Sequence, residues 1–318
     1  MTPQSLGRTQ MSRIQELDFL KLIMILFMVS FHLVYIGDTY PYAKQIVYTF
    51  HMPVFLIISG YLMNVCKPPR RFLRSVWWLL VPYTVMESGY VVMASMLPIR
   101  EHIEQLTPAV FLEKLLIHPL GPYWYLHTLI LCELTYYGTF MLTRLSLLSR
   151  YIIIGVAFAW MSHIGILTLS LALFFLAGAV VRHSGLQFLQ VVRPSWLSAL
   201  PFVLLAVHPA NLSTGTAGGS LMVYLVMSLS LSVYPMLSQW QLRPLLFIGR
   251  NTLPVFLFSP MFTILCKPLV PALSFEPTGL LFLVVSLLVC ISGSLLVCLL
   301  MDVCRVSPYF FGRSSGLA

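Results

Sequence analysis

The chain has 318 residues, of which 58% are hydrophobic and only 9% charged, and its mean hydropathy is +0.88. Ordinary soluble domains carry about a quarter charged residues, so this composition excludes a soluble globular fold and calls for a lipid solvent. The net charge of +9 would suit nucleic acid in a soluble protein, but in an apolar chain basic residues first report membrane orientation, and no nucleic-acid partner is expected.

In chain order, a short N-terminal segment, 1–16, precedes an apolar run at about 17 to 36. Lys21 interrupts that run and no small-residue cleavage site follows it, so it reads as a retained first span rather than a signal peptide. Further runs lie at about 45 to 65, 75 to 97, 122 to 142, 151 to 165, 166 to 181, 195 to 208, 217 to 238, 252 to 270 and 277 to 300, before a tail over 301–318. Runs of this kind cross a bilayer as helices. The expected fold is therefore all-α, a polytopic transmembrane bundle of about ten helices filling 17–300. Fusing the short fifth and sixth runs into one helix is the main alternative, and it would reverse every later loop.

Cytoplasmic loops are enriched in Lys and Arg. Ten spans with a cytoplasmic N-terminus put Arg70, Arg71, Arg74, Arg144, Arg150, Arg182, Arg193, Arg243 and Arg250 inside, together with Arg8, Arg13, Lys67, Arg305 and Arg313. Only Lys44, Arg100, Lys114 and Lys267 remain outside. Both termini are accordingly expected in the cytoplasm. The longest outer loop, 98–121, holds Glu101, Glu104 and Glu113 among apolar residues and is expected to form a short interfacial amphipathic helix. Ala210 to Ser220, rich in Gly, Ser and Thr, reads as a flexible connection. The six cysteines form no CxxC pair and mostly sit in apolar runs, so neither a disulfide nor a metal site is expected.

Ionisable side chains inside spans are costly and usually face a protein interior or a water-filled cavity. Here they are Lys21, His32, His51, Glu87, His127 and Glu133. Eleven residues separate Lys21 from His32, which at about 100° per residue puts both on one helix face roughly 16 Å apart. Asp18, three residues before Lys21, can pair with it. His32, His51 and His127 fall in one outer layer, and a neutral imidazole there can act as a base. A histidine that merely bonds a neighbouring helix is the plainer reading of His127, and helix packing is the plainer reading of Glu87 and Glu133. The loop from Lys67 to Arg74 is strongly basic. It anchors topology, and Arg71 with Arg74 can also fork onto the phosphates of a cytoplasmic ligand.

Several strings match a known pattern. Asp18-Phe-Leu-Lys21, ten residues and then His32 resemble the R/K-x10-H signature of the first helix in acyltransferase family 3 membrane proteins. The segment from Phe50 to Leu62 (FHMPVFLIISGYL) is similar to the second helix of the subgroup related to fucose 4-O-acetylases. Arg71 and Arg74 supply an RxxR, Leu80-Val-Pro-Tyr83 resembles "LLxPY", Tyr123-Trp-Tyr-Leu126 resembles "WFL", and the segment from Phe247 to Leu257 (FIGRNTLPVFL) resembles "IGxxSlxIYL". The similarity runs from about 13 to 260.

That resemblance implies an integral membrane O-acyltransferase, acetyl-CoA dependent, in the bacterial inner membrane. Its donor would be cytoplasmic acetyl-CoA or another acyl-CoA, and its acceptor a hydroxyl of a cell-surface glycan or lipid-linked sugar. By the same resemblance His32 is the catalytic residue, Lys21 takes the place of the usual arginine, and Arg71 and Arg74 receive the donor. Asp18, His51, Trp124, His127, Glu87 and Glu133 are expected to support the site or bind substrate. Lysine keeps the charge of arginine but loses its forked geometry, and Ser259 stands where many relatives have a histidine. The rival is a proton-coupled transporter in which Lys21, His32, Glu87 and Glu133 form a relay.

Overall fold

A computed structural model describes residues 13–96 and 101–317. Most of the N-terminal segment 1–16, including Arg8, and also Arg100 lie outside the described residues. The described chain is helical, with no strand assigned.

Helix α1 (Gln15–His32) runs through the middle of the bundle and buries Leu20, Met24, Ile25 and Val29 almost completely. The backbone turns extended at Leu33, and the short α2 (Val34–Thr39) leads into α3 (Pro41–Leu62), which folds back along α1. Proline at the start of α3 is harmless, because the first turn of a helix leaves its N–H groups unpaired in any case. A basic turn joins α3 to the long α4 (Pro69–Met96). Next come α5 (Pro108–Leu116), α6 (Trp124–Leu142), α7 (Leu147–His163) and α8 (Leu169–His183). They are followed by α9 (Phe188–Val191), α10 (Ala199–Ala206), α11 (Ala217–Val233), α12 (Gln239–Arg250), α13 (Thr252–Leu265) and α14 (Leu269–Leu273). The chain closes with α15 (Leu280–Val303) and α16 (Ser307–Phe310).

A helix falls on each of the ten apolar runs, but they differ in length. By length and composition three helical segments are able to cross a bilayer, 41–62, 217–236 and 280–303. A fourth span is possible if α12 and α13, bent by 76° at their junction, act as one broken span. The helical stretch 196–206 rises only about 16 Å, roughly half of a hydrocarbon core. Among the described residues of the loop 98–121, α5 is the α-helix; it contains Glu113, whereas Glu101 and Glu104 lie before it.

Packing shows how the bundle reverses soluble logic. Helix α15 turns Val284, Leu288, Leu296 and Leu300 outward, and buries a stripe of Ser286, Cys290, Ser294 and Cys298 at four-residue spacing. Lipid gives apolar side chains no reason to hide, so helices in a bilayer associate through small residues that let backbones approach. The contact of α3 with α8 shows the same rule. A Cβ at Gly60 would sit 1.9 Å from the Phe175 carbonyl oxygen, and one at Gly178 would sit 1.9 Å from that of Ile57. Each helix therefore rests its backbone on the glycine of the other.

Candidate active site

The site begins where α1 ends. His32 occupies the last turn of that helix, and its Nδ1 lies 2.6 Å from the Met28 carbonyl oxygen. A carbonyl only accepts, so Nδ1 carries the proton and Nε2 is the basic nitrogen of the ring. His51 repeats the arrangement on α3, with Nδ1 at 2.8 Å from the Val47 carbonyl oxygen. Tyr48 stands between the two imidazoles, its ring centroid 5.8 Å from that of His32 and 5.2 Å from that of His51.

A cavity of about 260 Å³ is lined by His32, His51, Tyr48 and Trp124, with Met28, Met52, Leu171 and Phe256 as apolar walls. Pro53 on α3 and Thr214 in the connection before α11 also line it, with Pro122 and Thr168. Pro53 lies inside α3, where its missing N–H breaks one backbone hydrogen bond beside the site. The arrangement is a largely apolar chamber with two bases of fixed tautomer, suited to moving a proton without admitting much water.

The other candidate residues divide. His127 is absent from the cavity lining; its Nε2–H donates to the Leu116 carbonyl at 2.9 Å and ties α6 to the end of α5. Only two of the three imidazoles of the expected layer therefore meet. Glu87 is fully buried on α4 and accepts from the Leu120 N–H at 2.6 Å, while Glu101 accepts from the Gly121 N–H at 2.8 Å. These two carboxylates hold the turn that delivers Tyr123 and Trp124. Tyr123 donates to the Leu257 carbonyl at 2.9 Å, which locks that turn onto α13. Glu133 is half-buried on α6 and does not line the cavity.

Lys21 lies on α1 about three helical turns from His32 and is likewise outside the cavity lining. Its Nζ is 2.7 Å from Asp18 Oδ1. Asp18 is only 3% exposed, and its other oxygen meets Arg13 Nε at 2.6 Å and Arg250 Nε at 3.7 Å. One carboxylate thus gathers three cations. Gly249 makes this possible, because a Cβ there would come within 2.0 Å of the Asp18 carbonyl oxygen. Sequence reasoning missed Arg250 and Gly249 as parts of this cluster. The available signal was Ser238-Gln-Trp-Gln241, a capping box that opens α12 in a stretch otherwise polar enough to read as a loop.

Arg71 and Arg74 are exposed on the first turns of α4, at the end of the bundle away from His32. The Lys67 carbonyl accepts from the Tyr137 hydroxyl at 2.6 Å, and Phe72 stacks on Tyr137 at 3.7 Å, so this basic turn is seated on α6. Cations in the first turns of a helix oppose its dipole, and a bound anion there would relieve both. His51 and the C-terminal end of α3 are eleven residues apart, about 17 Å along the axis. A ligand with phosphates at Arg71 and Arg74 needs an arm of that order to present a reactive group to His32.

The apolar helices and the buried small-residue stripe mark an integral membrane protein. Residues 14–301 match the model of acyltransferase family 3, described as an acyltransferase domain, and the chain belongs to that family. It is a membrane acyltransferase. No curated protein and no solved structure matched the chain.

Proposed function

We propose that this acyltransferase moves an acetyl group from cytoplasmic acetyl-CoA to a hydroxyl of a cell-surface glycan or of its lipid-linked precursor, in the inner membrane of a bacterium. The resemblance of the string from Phe50 to Leu62 to the second helix of the subgroup related to fucose 4-O-acetylases supports a sugar hydroxyl as acceptor. One observation carries the reading: His32 Nδ1 is committed to a backbone carbonyl, which leaves Nε2 as a base in a largely apolar cavity.

In the proposed step, His32 Nε2 takes the proton of the acceptor hydroxyl as its oxygen attacks the thioester carbon. The new C–O bond forms, the C–S bond breaks, and the proton passes from the imidazolium to the departing thiolate, giving free CoA. Apolar walls from Met28, Met52, Leu171 and Phe256 limit attack by water. His51 and Trp124 shape the acceptor side of the chamber. Arg71 and Arg74 take the phosphates of the donor, and Lys21, held by Asp18, adds positive charge at that end of the bundle.

Acetyl-CoA labelled in the acetyl group and supplied to proteoliposomes tests this reading. The expected result is label covalently attached to a sugar acceptor, with release of free CoA that requires His32. Solute uptake without covalent transfer would support the rival transporter and remove the proposal.

A further inference from the structure

A second cavity, of about 500 Å³, adjoins the first, and Tyr48 and Thr214 line both. Beside Pro41 and Leu212, its other walls are largely polar: Asp38 at the end of α2, Lys44 and Gln45 at the start of α3, Thr49 one turn on, and Ser213 in the connection before α11. The mouth is built rather than incidental. The Tyr42 hydroxyl donates to the Ala206 carbonyl at 2.7 Å, and the Tyr40 hydroxyl donates to the Thr278 carbonyl at 2.7 Å, so three connections are tied together around it. It lies at the His32 end of the bundle, away from Arg71 and Arg74.

Lys44 is the distinctive group. Its Nζ lies over the Tyr48 ring, 5.6 Å from the centroid, and it has no carboxylate within ion-pair distance among the described residues. Gly37 gives it room, since a Cβ there would stand 3.1 Å from that Nζ. Asp38 shares the vestibule but stands beyond ion-pair distance of Lys44, so the ammonium beside the apolar chamber keeps its donors open to an anionic group in a ligand. Around it the hydroxyls of Thr49 and Ser213, the Gln45 amide and the Asp38 carboxylate supply the mixed donors and acceptors that a polyol requires.

We infer that this vestibule is the acceptor subsite, and that Lys44 selects a sugar bearing a carboxylate, whose hydroxyl then passes Tyr48 to reach His32. The inference rests on the acyl-transfer reading and deepens it. It also fixes the approach of the acceptor: the end of the bundle opposite the basic turn that receives the donor. Lys44 acts here as a specificity residue, and its effect belongs in the comparison of acceptors rather than in the rate of thioester cleavage.

The test compares methyl hexuronide with neutral methyl hexoside as acceptors for purified protein given labelled acetyl-CoA. The uronide is expected to be favoured about tenfold in kcat/KM, a difference of about 1.4 kcal/mol for one charge-assisted contact. Lys44→Gln should bring that ratio to about one, and Lys44→Arg should restore it. Lys267→Gln, which changes an exposed cation outside both cavities, should leave the ratio as it was. Equal use of the two sugars by the wild type, or an unchanged ratio in Lys44→Gln, would overturn the inference. Failure to acetylate either sugar while His32-dependent CoA release continues would also overturn it. Absence of His32-dependent CoA release would sink the acyl-transfer reading itself, so the two failures are distinguishable.

Discussion

At the residue scale, Asp18 carries a structural burden that its position in an apolar run disguises. Arg13, Lys21 and Arg250 converge on it, and among the described residues it is the carboxylate within ion-pair distance of all three. Asp18→Asn would keep the shape and remove the charge, leaving three cations to repel one another near a buried surface. A loss of roughly 2 kcal/mol is expected, read as a lowered Tm in detergent. Lys21→Met should cost less, because it removes one cation from a cluster that still holds two. An Asp18→Asn protein as stable as wild type would show that the cluster contributes only position.

Also at this scale, the pairing of Asp18 with Lys21 and the placement of His32 on the same helix were legible in the sequence, because both follow from helical spacing alone. The meeting of His32 with His51 depends on α3 folding back along α1, which depth within two spans indicated. His127 shared that depth, yet its ring turns to the Leu116 carbonyl. Depth fixes a layer but not a direction within it. Thr214 was illegible as a site residue because it lies in a connection with no periodicity, and Lys44 because it sits in the first turn of α3, just ahead of the apolar run that begins near 45.

At the element scale, the contact between α3 and α8 depends on the paired glycines. Gly178→Leu would force a side chain into the Ile57 backbone and separate the two helices that carry His51 and Leu171 to the chamber. The expected cost is roughly 2 to 3 kcal/mol, seen as a lower Tm together with lost transfer. Normal stability in that variant would mean that the helices tolerate separation. A second element-level device is the start of α15. Glu276 accepts from Thr278 N at 2.7 Å and from Leu281 N at 3.1 Å, and the Thr278 hydroxyl and these N–H groups hold its carboxyl below the usual range. A depressed carboxylate stabilises the fold above its ordinary pKa, and that stability is lost as pH falls through the lowered value. Glu276→Gln should therefore lower the Tm at neutral pH, and the difference from wild type should disappear in acid. A gap that persists at low pH would contradict the charge-assisted cap.

The elements themselves were read unevenly. Each apolar run became a helix because a bilayer leaves the backbone no other way to pair its polar groups within one segment. Helix α12 was passed over, since its polar residues resemble a loop on a hydropathy scale. Its bend of 76° against α13 brings Arg250 beside Asp18. The short stretch 196–206 also shows that an apolar run of sufficient hydropathy need not form a helix long enough to cross.

At the scale of the whole molecule, the bundle separates two chemistries. Exposed arginines gather at one end, and a polar vestibule opens at the other, with the histidine chamber adjoining the vestibule. The distribution of basic residues predicts that the arginine end faces the cytoplasm. Cys66 and Cys304 are exposed natural reporters, placed after α3 and after α15. A membrane-impermeant maleimide should label both in inverted vesicles and neither in sealed right-side-out vesicles. Labelling of the two cysteines from opposite faces would contradict the expected even number of spans between them.

The central claim is that one ring nitrogen of His32 removes the acceptor proton, and the most direct measurement is acetyl transfer from labelled acetyl-CoA by purified His32→Ala protein beside wild type. Loss of a positioned general base predicts a fall of about 10²- to 10⁴-fold in turnover, with membrane insertion and helical circular dichroism retained. Turnover equal to wild type in a correctly folded His32→Ala protein would contradict the account.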